Sequence, residues 1–411
     1  QVDISNQTLA QAEAQYRQAQ ALVRSARAGL FPTVSASVDA SRSSAGVSAR
    51  TATATTTTTA ANARASGPLN NYSLALDASW ETDLWGRVRR TVEANRASAQ
   101  ASAADLQAAR LSAQAQLAQD YLQLRVLDAQ QKLLDDTIAA YQRSLQLTQN
   151  QYAVGVVAKA DVIQAQTQLK TTQAQALDVG VQRAQLEHAI ALLIGQPAST
   201  FSIPRAPLVA VMPAIPLGVP SALLERRPDV AGAERRMAAA NAQIGVAKAA
   251  YFPDLTLSAS LGYQSSSFAN WLTLPNRIWA LGPALAQTLF DGGLRHAQTD
   301  AAIAAYDADV ALYRQTVLGG FGEVEDNLAA LRILEQEAQV QDEALQLARQ
   351  SVLLTTNQYR AGTVSYLNVV TVQATALASE NAALGILNRR LAASVLLIKA
   401  LGGGWNSDLI H

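Results

Sequence analysis

The chain has 411 residues, enough for two or three ordinary domains. Charged residues make up 16% and the formal net charge is zero, which argues against a nucleic-acid partner, because that needs a basic footprint. There are no cysteines, so disulfides and thiolate metal sites are excluded.

No run of about 18 apolar residues is evident, so a transmembrane helix is not expected. A membrane span would then need strands that close on themselves. No secretory signal is present in these residues, and the N-terminus is expected to be processed or cropped.

Residues from about 5 to 29 read as a helix, with Leu9, Ala12, Tyr16, Ala19, Val23 and Ala26 at spacings of three and four. Phe31-Pro32 ends it. The period then switches to two, with Val34, Ala36 and Val38 between polar residues. A stronger alternation sets Tyr72, Leu74, Leu76, Ala78 and Trp80 against Ser73, Ala75, Asp77, Ser79 and Glu81. The Ser/Thr/Ala tract between them, including Thr55–Thr59, reads as a long exposed loop. After Leu84-Trp85-Gly86-Arg87, residues from about 88 to 152 carry an apolar stripe without proline, which predicts a coiled-coil-like helix on the order of 100 Å long.

Gln151–Gln166, QYAVGVVAKADVIQAQ, comes next and returns 207 residues later as Gln358–Gln373, QYRAGTVSYLNVVTVQ. Gly155 and Gly362 suit helix C-caps, and Asp161 and Asn368 suit the first turn of a following helix. Each copy therefore reads as the hairpin tip of an antiparallel helical coil, and the chain as two versions of one plan. The expected boundaries are a first repeat over 1–195, with strands at 31–46 and 70–82 and a tip at 152–161. A proline-rich equatorial connector follows over 196–228. The second repeat spans 229–402, with strands at 252–267 and 277–290 and a tip at 359–368, and the tail is 403–411. Pro283 weakens the last strand, and Gly319, Gly320 and Gly322 are expected to bend or loosen the second long helix.

Four amphipathic strands of roughly 9–11 residues are long enough to cross an outer membrane. Tyr72, Trp80 and Tyr263 on their apolar faces suit a lipid interface. Four strands cannot close a barrel, so sister copies must pair the edges, and three copies would give twelve strands around a pore. The bland reading stands beside this: such stripes also serve ordinary helix packing, and such strands occur in sandwiches, which would make the chain a soluble coiled-coil scaffold. The histidines His188, His296 and His411 lack ligand spacing, and no phosphate-cradling or nucleophile motif is present, so neither an enzyme nor a cofactor is expected.

Pro220–Val230, PSALLERRPDV, followed by Ala233-Glu234, resembles the LLxRRPD signature of TolC-like outer-membrane efflux proteins of the OprM/NodT branch. The Phe-Pro junctions, Phe290-Asp291-Gly292-Gly293 and both YxxG tips match as well, over about residues 5 to 405. The resemblance implies an α+β membrane protein: a homotrimer with a twelve-stranded outer-membrane β-barrel, a periplasmic α-helical barrel and an equatorial collar. It implies the exit duct of a multidrug or solute efflux pump, with a periplasmic adaptor (membrane fusion) protein and a resistance-nodulation-division inner-membrane pump as partners. A protein-secretion duct is the alternative within that class. An N-terminal lipid anchor is implied for the full-length protein. The periplasmic gate would carry over to Asp161, Leu367, Asn368 and Thr371; Asn368 and Thr371 stand where acidic residues are frequent in the family. Adaptor docking would fall on Tyr152, Gly155, Val156, Tyr359, Arg360, Gly362 and Thr363. Arg226, Arg227, Pro228 and Asp229 are expected to be structural, with both arginines paired and Pro228 opening a helix.

Overall fold

A computed structural model describes residues 5–44, 68–209 and 226–406. The Thr55–Thr59 loop, the signature residues Pro220–Glu225 and part of the connector lie outside them. The fold is mostly helical with one four-stranded sheet. It divides into two units: a sheet unit of Gln18–Ala99 and Arg235–Val310, and a helical unit of Gln1–Arg17, Gln100–Glu234 and Ala311–His411.

The strands are β1 (Thr33–Ser43), β2 (Leu69–Glu81), β3 (Asp254–Ser265) and β4 (Arg277–Ala286). They pair in the order β1-β2-β3-β4, every neighbour antiparallel. The register carries the period-two pattern across the sheet. Val34, Ala78, Ala259 and Leu281 stand in one row, and Ala36, Leu76, Leu261 and Trp279 in the next. One face is thus apolar on all four strands. The other holds Ser35, Asp77 and Ser260 in one row, and Asp39, Ser73 and Gln264 in another. Pro283 sits inside β4, opposite Leu257; this is an edge strand, where a missing donor is tolerated.

The apolar face is uncovered. Val34 is 70% exposed, Trp279 71% and Leu281 76%. Trp80 marks its helix-bearing end, where the indole N–H donates to the Leu30 carbonyl at 3.0 Å. Tyr72 marks the loop end, edge-on to Phe268 at 5.5 Å and beside Trp271 at 6.1 Å. Eight residue steps separate Trp80 from Tyr72, about 26 Å along the strand and about 20 Å in height at a usual barrel tilt.

Among the described residues six α-helices accompany the sheet: α1 (Gln7–Ala28), α2 (Arg87–Ala153), α3 (Lys159–Leu193), α4 (Pro228–Ala249), α5 (Leu294–Arg360) and α6 (Tyr366–Ala400). Their lengths run 22, 67 and 35 residues in the first half and 22, 67 and 35 in the second. Both strand-to-helix junctions are capped by an aspartate. Asp83 Oδ1 accepts from the Val88 N–H at 2.7 Å, and Asp291 Oδ1 from the Gly293 N–H at 3.0 Å. The Arg295 guanidinium, 2.6 Å from Asp291 Oδ2, holds that carboxyl below the usual carboxylate range, with help from backbone N–H donors.

In the helical unit, Leu127 and Leu134 of α2 pack with Ala176 and Val179 of α3 and Leu377 of α6. Asp128 is the buried hub of an ion network, with Arg125 Nη1 at 2.8 Å and Arg183 Nε at 2.7 Å. The same arginines donate to the Pro204 and Ile203 carbonyls at 2.9 and 2.6 Å. The network thereby fastens the start of the connector to α2 and α3. Burial alone would lower the Arg183 pKa, but hydrogen bonds to Asp128 and Glu187 outweigh it and raise it.

α5 runs unbroken through Gly319, Gly320 and Gly322. The absent side chain at Gly320 makes room: a Cβ there would lie 3.2 Å from the Arg227 guanidinium carbon. α6 departs from the sequence expectation in another way. By length and composition it could cross a membrane, with a window of mean hydropathy 1.2. Polar and charged residues such as Asn368, Gln373, Glu380 and Arg389 interrupt the helix, so it shows no unbroken apolar run. Core helices meet the same weak criterion, and α6 packs Val369, Leu377, Leu391 and Leu397 inside the helical unit.

Candidate functional site

The two hairpin tips are built alike. Tip one joins α2 to α3 through residues 154–158, and tip two joins α5 to α6 through 361–365. Gly155 lies at φ +77° and Gly362 at φ +76°. The Gly155 N–H donates to Tyr152 O at 3.0 Å, and the Val156 N–H to Gln151 O at 2.9 Å. The Gly362 and Thr363 N–H groups repeat this on Tyr359 and Gln358, both at 3.0 Å. These paired bonds close a Schellman cap, which requires the left-handed glycine.

The caps that start the return helices differ. Asp161 Oδ2 accepts from the Ala158 N–H at 3.3 Å, one half of a capping box, since Ala158 offers no side-chain acceptor. Asn368, in the matching position, contributes its backbone N–H to Ser365 O at 3.1 Å.

The tips part company at their tyrosines. Tyr152 is 46% exposed, whereas Tyr359 is buried. Tyr359 sits edge-on to Tyr366 at 5.4 Å, in a cluster with Ala165, Val369 and Val370. Its hydroxyl donates to Gln151 Oε1 at 2.7 Å, and the Tyr366 hydroxyl lies 3.1 Å from Ser144 Oγ. Two polar ties thus fasten the second hairpin to the first, and the aromatic contact joins α5 to α6 within the second. Burial pushes both phenols above their usual pKa, so they stay protonated through the physiological range.

Leu367, Asn368 and Thr371 lie on the exposed side of α6, with Leu367 53% exposed. They share a face because Thr371 stands four residues after Leu367 and three after Asn368. Asp161 is half-buried. Val156, Arg360 and Thr363 are exposed, as are Val154 and Ile163, two apolar residues at the tip that sequence reasoning passed over. Gln151, Ser144 and Tyr366 were also missed as partners. Tyr366 carries the only available signal, an aromatic at the head of a helix where the first copy has Lys159.

Arg227 is buried, and its guanidinium is fully engaged. It meets Asp229 at 2.6 Å, Glu323 at 2.8 Å and the Ala400 carbonyl at 3.2 Å. Burial would lower its pKa, but the hydrogen bonds to Asp229 and Glu323 raise it overall. Pro228 opens α4 and is fully buried. Arg226 is exposed and has no ion pair among the described residues; its carbonyl lies where a Cβ on Gly402 (φ +88°) would fall.

The chain has relatives among known proteins. It matches the family model described as outer membrane efflux protein over residues 1–196 and 219–403. It is 33% identical to the pyoverdine export outer membrane protein OpmQ of Pseudomonas aeruginosa, over 98% of this chain and 84% of that protein. It is 31% identical to the probable efflux pump outer membrane protein TtgC of Pseudomonas putida, over 92% of this chain and 76% of that one. The solved outer-membrane channel OprN superposes with a TM-score of 0.90 at 30% identity, over 98% of this chain and 88% of that one.

Proposed function

The chain belongs to the outer membrane efflux protein family and is an outer-membrane efflux channel, and from this we propose that it works as a homotrimeric exit duct of a tripartite efflux pump. The observation that carries the reading is the sheet. One face is apolar and uncovered on four strands, and each edge strand, β1 and β4, has a single partner. A meander with an even number of strands leaves its edges antiparallel. β4 of one copy can therefore continue onto β1 of the next in the same sense, and three copies close twelve strands without a free edge. The apolar face then meets lipid, and the Ser- and Asp-lined face meets water.

In this reading the helical units of three copies surround the duct and narrow it at the tips. Leu367 supplies an apolar constriction, with Asp161, Asn368 and Thr371 polar around it. The hydrogen bonds of Tyr359 and Tyr366 hold the two hairpins of one copy together, which supports a closed resting gate. A periplasmic adaptor protein docks on the exposed tip residues Tyr152, Val156, Arg360 and Thr363, and opening is driven by an inner-membrane pump. The duct itself needs no nucleotide. The duplicated helix lengths and tips support descent of the two halves from one repeat.

Conductance of the purified protein in planar bilayers tests this. Heat-resistant trimers in detergent should give discrete channels, and Leu367→Ser should raise their conductance or open time. A monomer that stays soluble without detergent and gives no channels would overturn the reading.

A further inference from the structure

The sheet sorts its charges by sign. Asp39, Asp77, Glu81 and Asp254 all fall on the polar face. The apolar face carries two charged residues, Arg42 and Arg277, and both lie toward the loop end. Arg277 stands in the row of Tyr263, Leu74 and Val38. Arg42 lies two residues beyond Ala40, which shares its row with Tyr72. Both are exposed, and neither has an ion pair among the described residues.

The same end carries the sheet's aromatic cluster. The loop from β3 to β4 folds Phe268 and Trp271 against Tyr72, and the Trp271 indole N–H lies 3.4 Å from the Tyr263 carbonyl. Phe268, Leu272 and Leu274 remain exposed. Aromatic rings of this kind sit at headgroup level, between hydrocarbon and water. Two arginines beside such a belt, with no carboxylate on their face, are placed to meet anionic headgroups. The guanidinium fork matches phosphate oxygens two at a time.

We infer that Arg42 and Arg277, with the Tyr72–Phe268–Trp271 cluster, form a binding site for a phosphorylated lipid headgroup of the outer leaflet. The occupant is a bisphosphorylated glycolipid of the lipid A kind. Its phosphates take the guanidinium groups and its acyl chains lie on the apolar rows below. The inference rests on the trimeric outer-membrane reading given above. It adds a feature of the seam: Arg277 is on edge strand β4 and Arg42 on edge strand β1, so sister copies bring the two edges together. The lipid then bridges neighbouring subunits.

Native mass spectrometry of the detergent-solubilised trimer tests this. The arms are bisphosphorylated lipid A, the same lipid with its phosphates removed, and lipid A with excess inorganic phosphate. Intact lipid A should remain bound to the wild-type trimer, the dephosphorylated lipid should bind roughly tenfold more weakly, and inorganic phosphate should not displace it. The double variant Arg42→Gln/Arg277→Gln should lose the preference for phosphate, while Arg42→Lys/Arg277→Lys should keep part of it. Equal binding of both lipids to the wild type, or an unchanged preference in the glutamine variant, overturns the site. Bilayer conductance of the wild type separates the two readings: conducting trimers without phosphate preference sink only the lipid site, whereas absence of trimers and of channels sinks the duct.

Discussion

One of the two polar ties between the hairpins is a single hydroxyl. Tyr359→Phe keeps the ring against Tyr366 and removes the 2.7 Å bond to Gln151. A net hydrogen bond is worth about 1 kcal/mol, so the open fraction of the gate should rise about fivefold, read as open probability in single-channel records. An unchanged open probability would remove Tyr359 from the gate. Asp120 makes a different case. It is buried on α2 and accepts from Gln116 Nε2 at 2.8 Å. Burial raises its pKa above the ordinary value, against the opposing pull of that hydrogen bond. A carboxyl raised on folding costs stability at neutral pH, and the cost vanishes as pH falls below its unfolded pKa. Asp120→Asn, which can still accept from Gln116, should therefore melt higher than wild type at pH 7. The gap should shrink toward pH 4, and a gap that widens on acidification would refute the assignment.

The tips show how far an element can be understood from its own few residues. Nothing lies within 4 Å of a Cβ built on Gly362, so only its left-handed backbone resists substitution. Gly362→Ala should cost about 1–2 kcal/mol, visible as faster amide exchange over 359–366. Gly385, within α6 and equally open, should respond in the opposite sense, with alanine adding roughly 1 kcal/mol. The same locality decides what the amino-acid order makes legible. The Phe-Pro junctions, the period-two strands and the glycine turns are set by neighbours a few residues apart, and they were readable in advance. The Tyr366–Ser144 contact spans 222 residues, and the Asp128–Arg183 pair 55. No spacing rule reaches that far. The contact at Gly320 was hidden for the same reason: it depends on Arg227, which arrives from another element.

The sheet separates a membrane channel from a soluble scaffold by what its apolar face tolerates. Leu261 lies on the inner strand β3, between Leu76 and Trp279 and midway along the apolar rows. It is already 51% exposed in one copy. Were that face in water, Leu261→Arg would be close to neutral, as most exposed substitutions are. Were it in lipid, the arginine would stand near the bilayer midplane and cost about 2–4 kcal/mol. Ser260→Arg provides the internal comparison, one residue away on the polar face and opposite Asp77. Facing a water-filled duct beside a carboxylate, it should assemble normally. Trimer yield after refolding into detergent, followed by heat resistance on gels, reads both variants. The channel predicts loss for Leu261→Arg and retention for Ser260→Arg. Equal retention of both would mean that the apolar face meets no lipid, and the closed barrel of sister copies would fall with it.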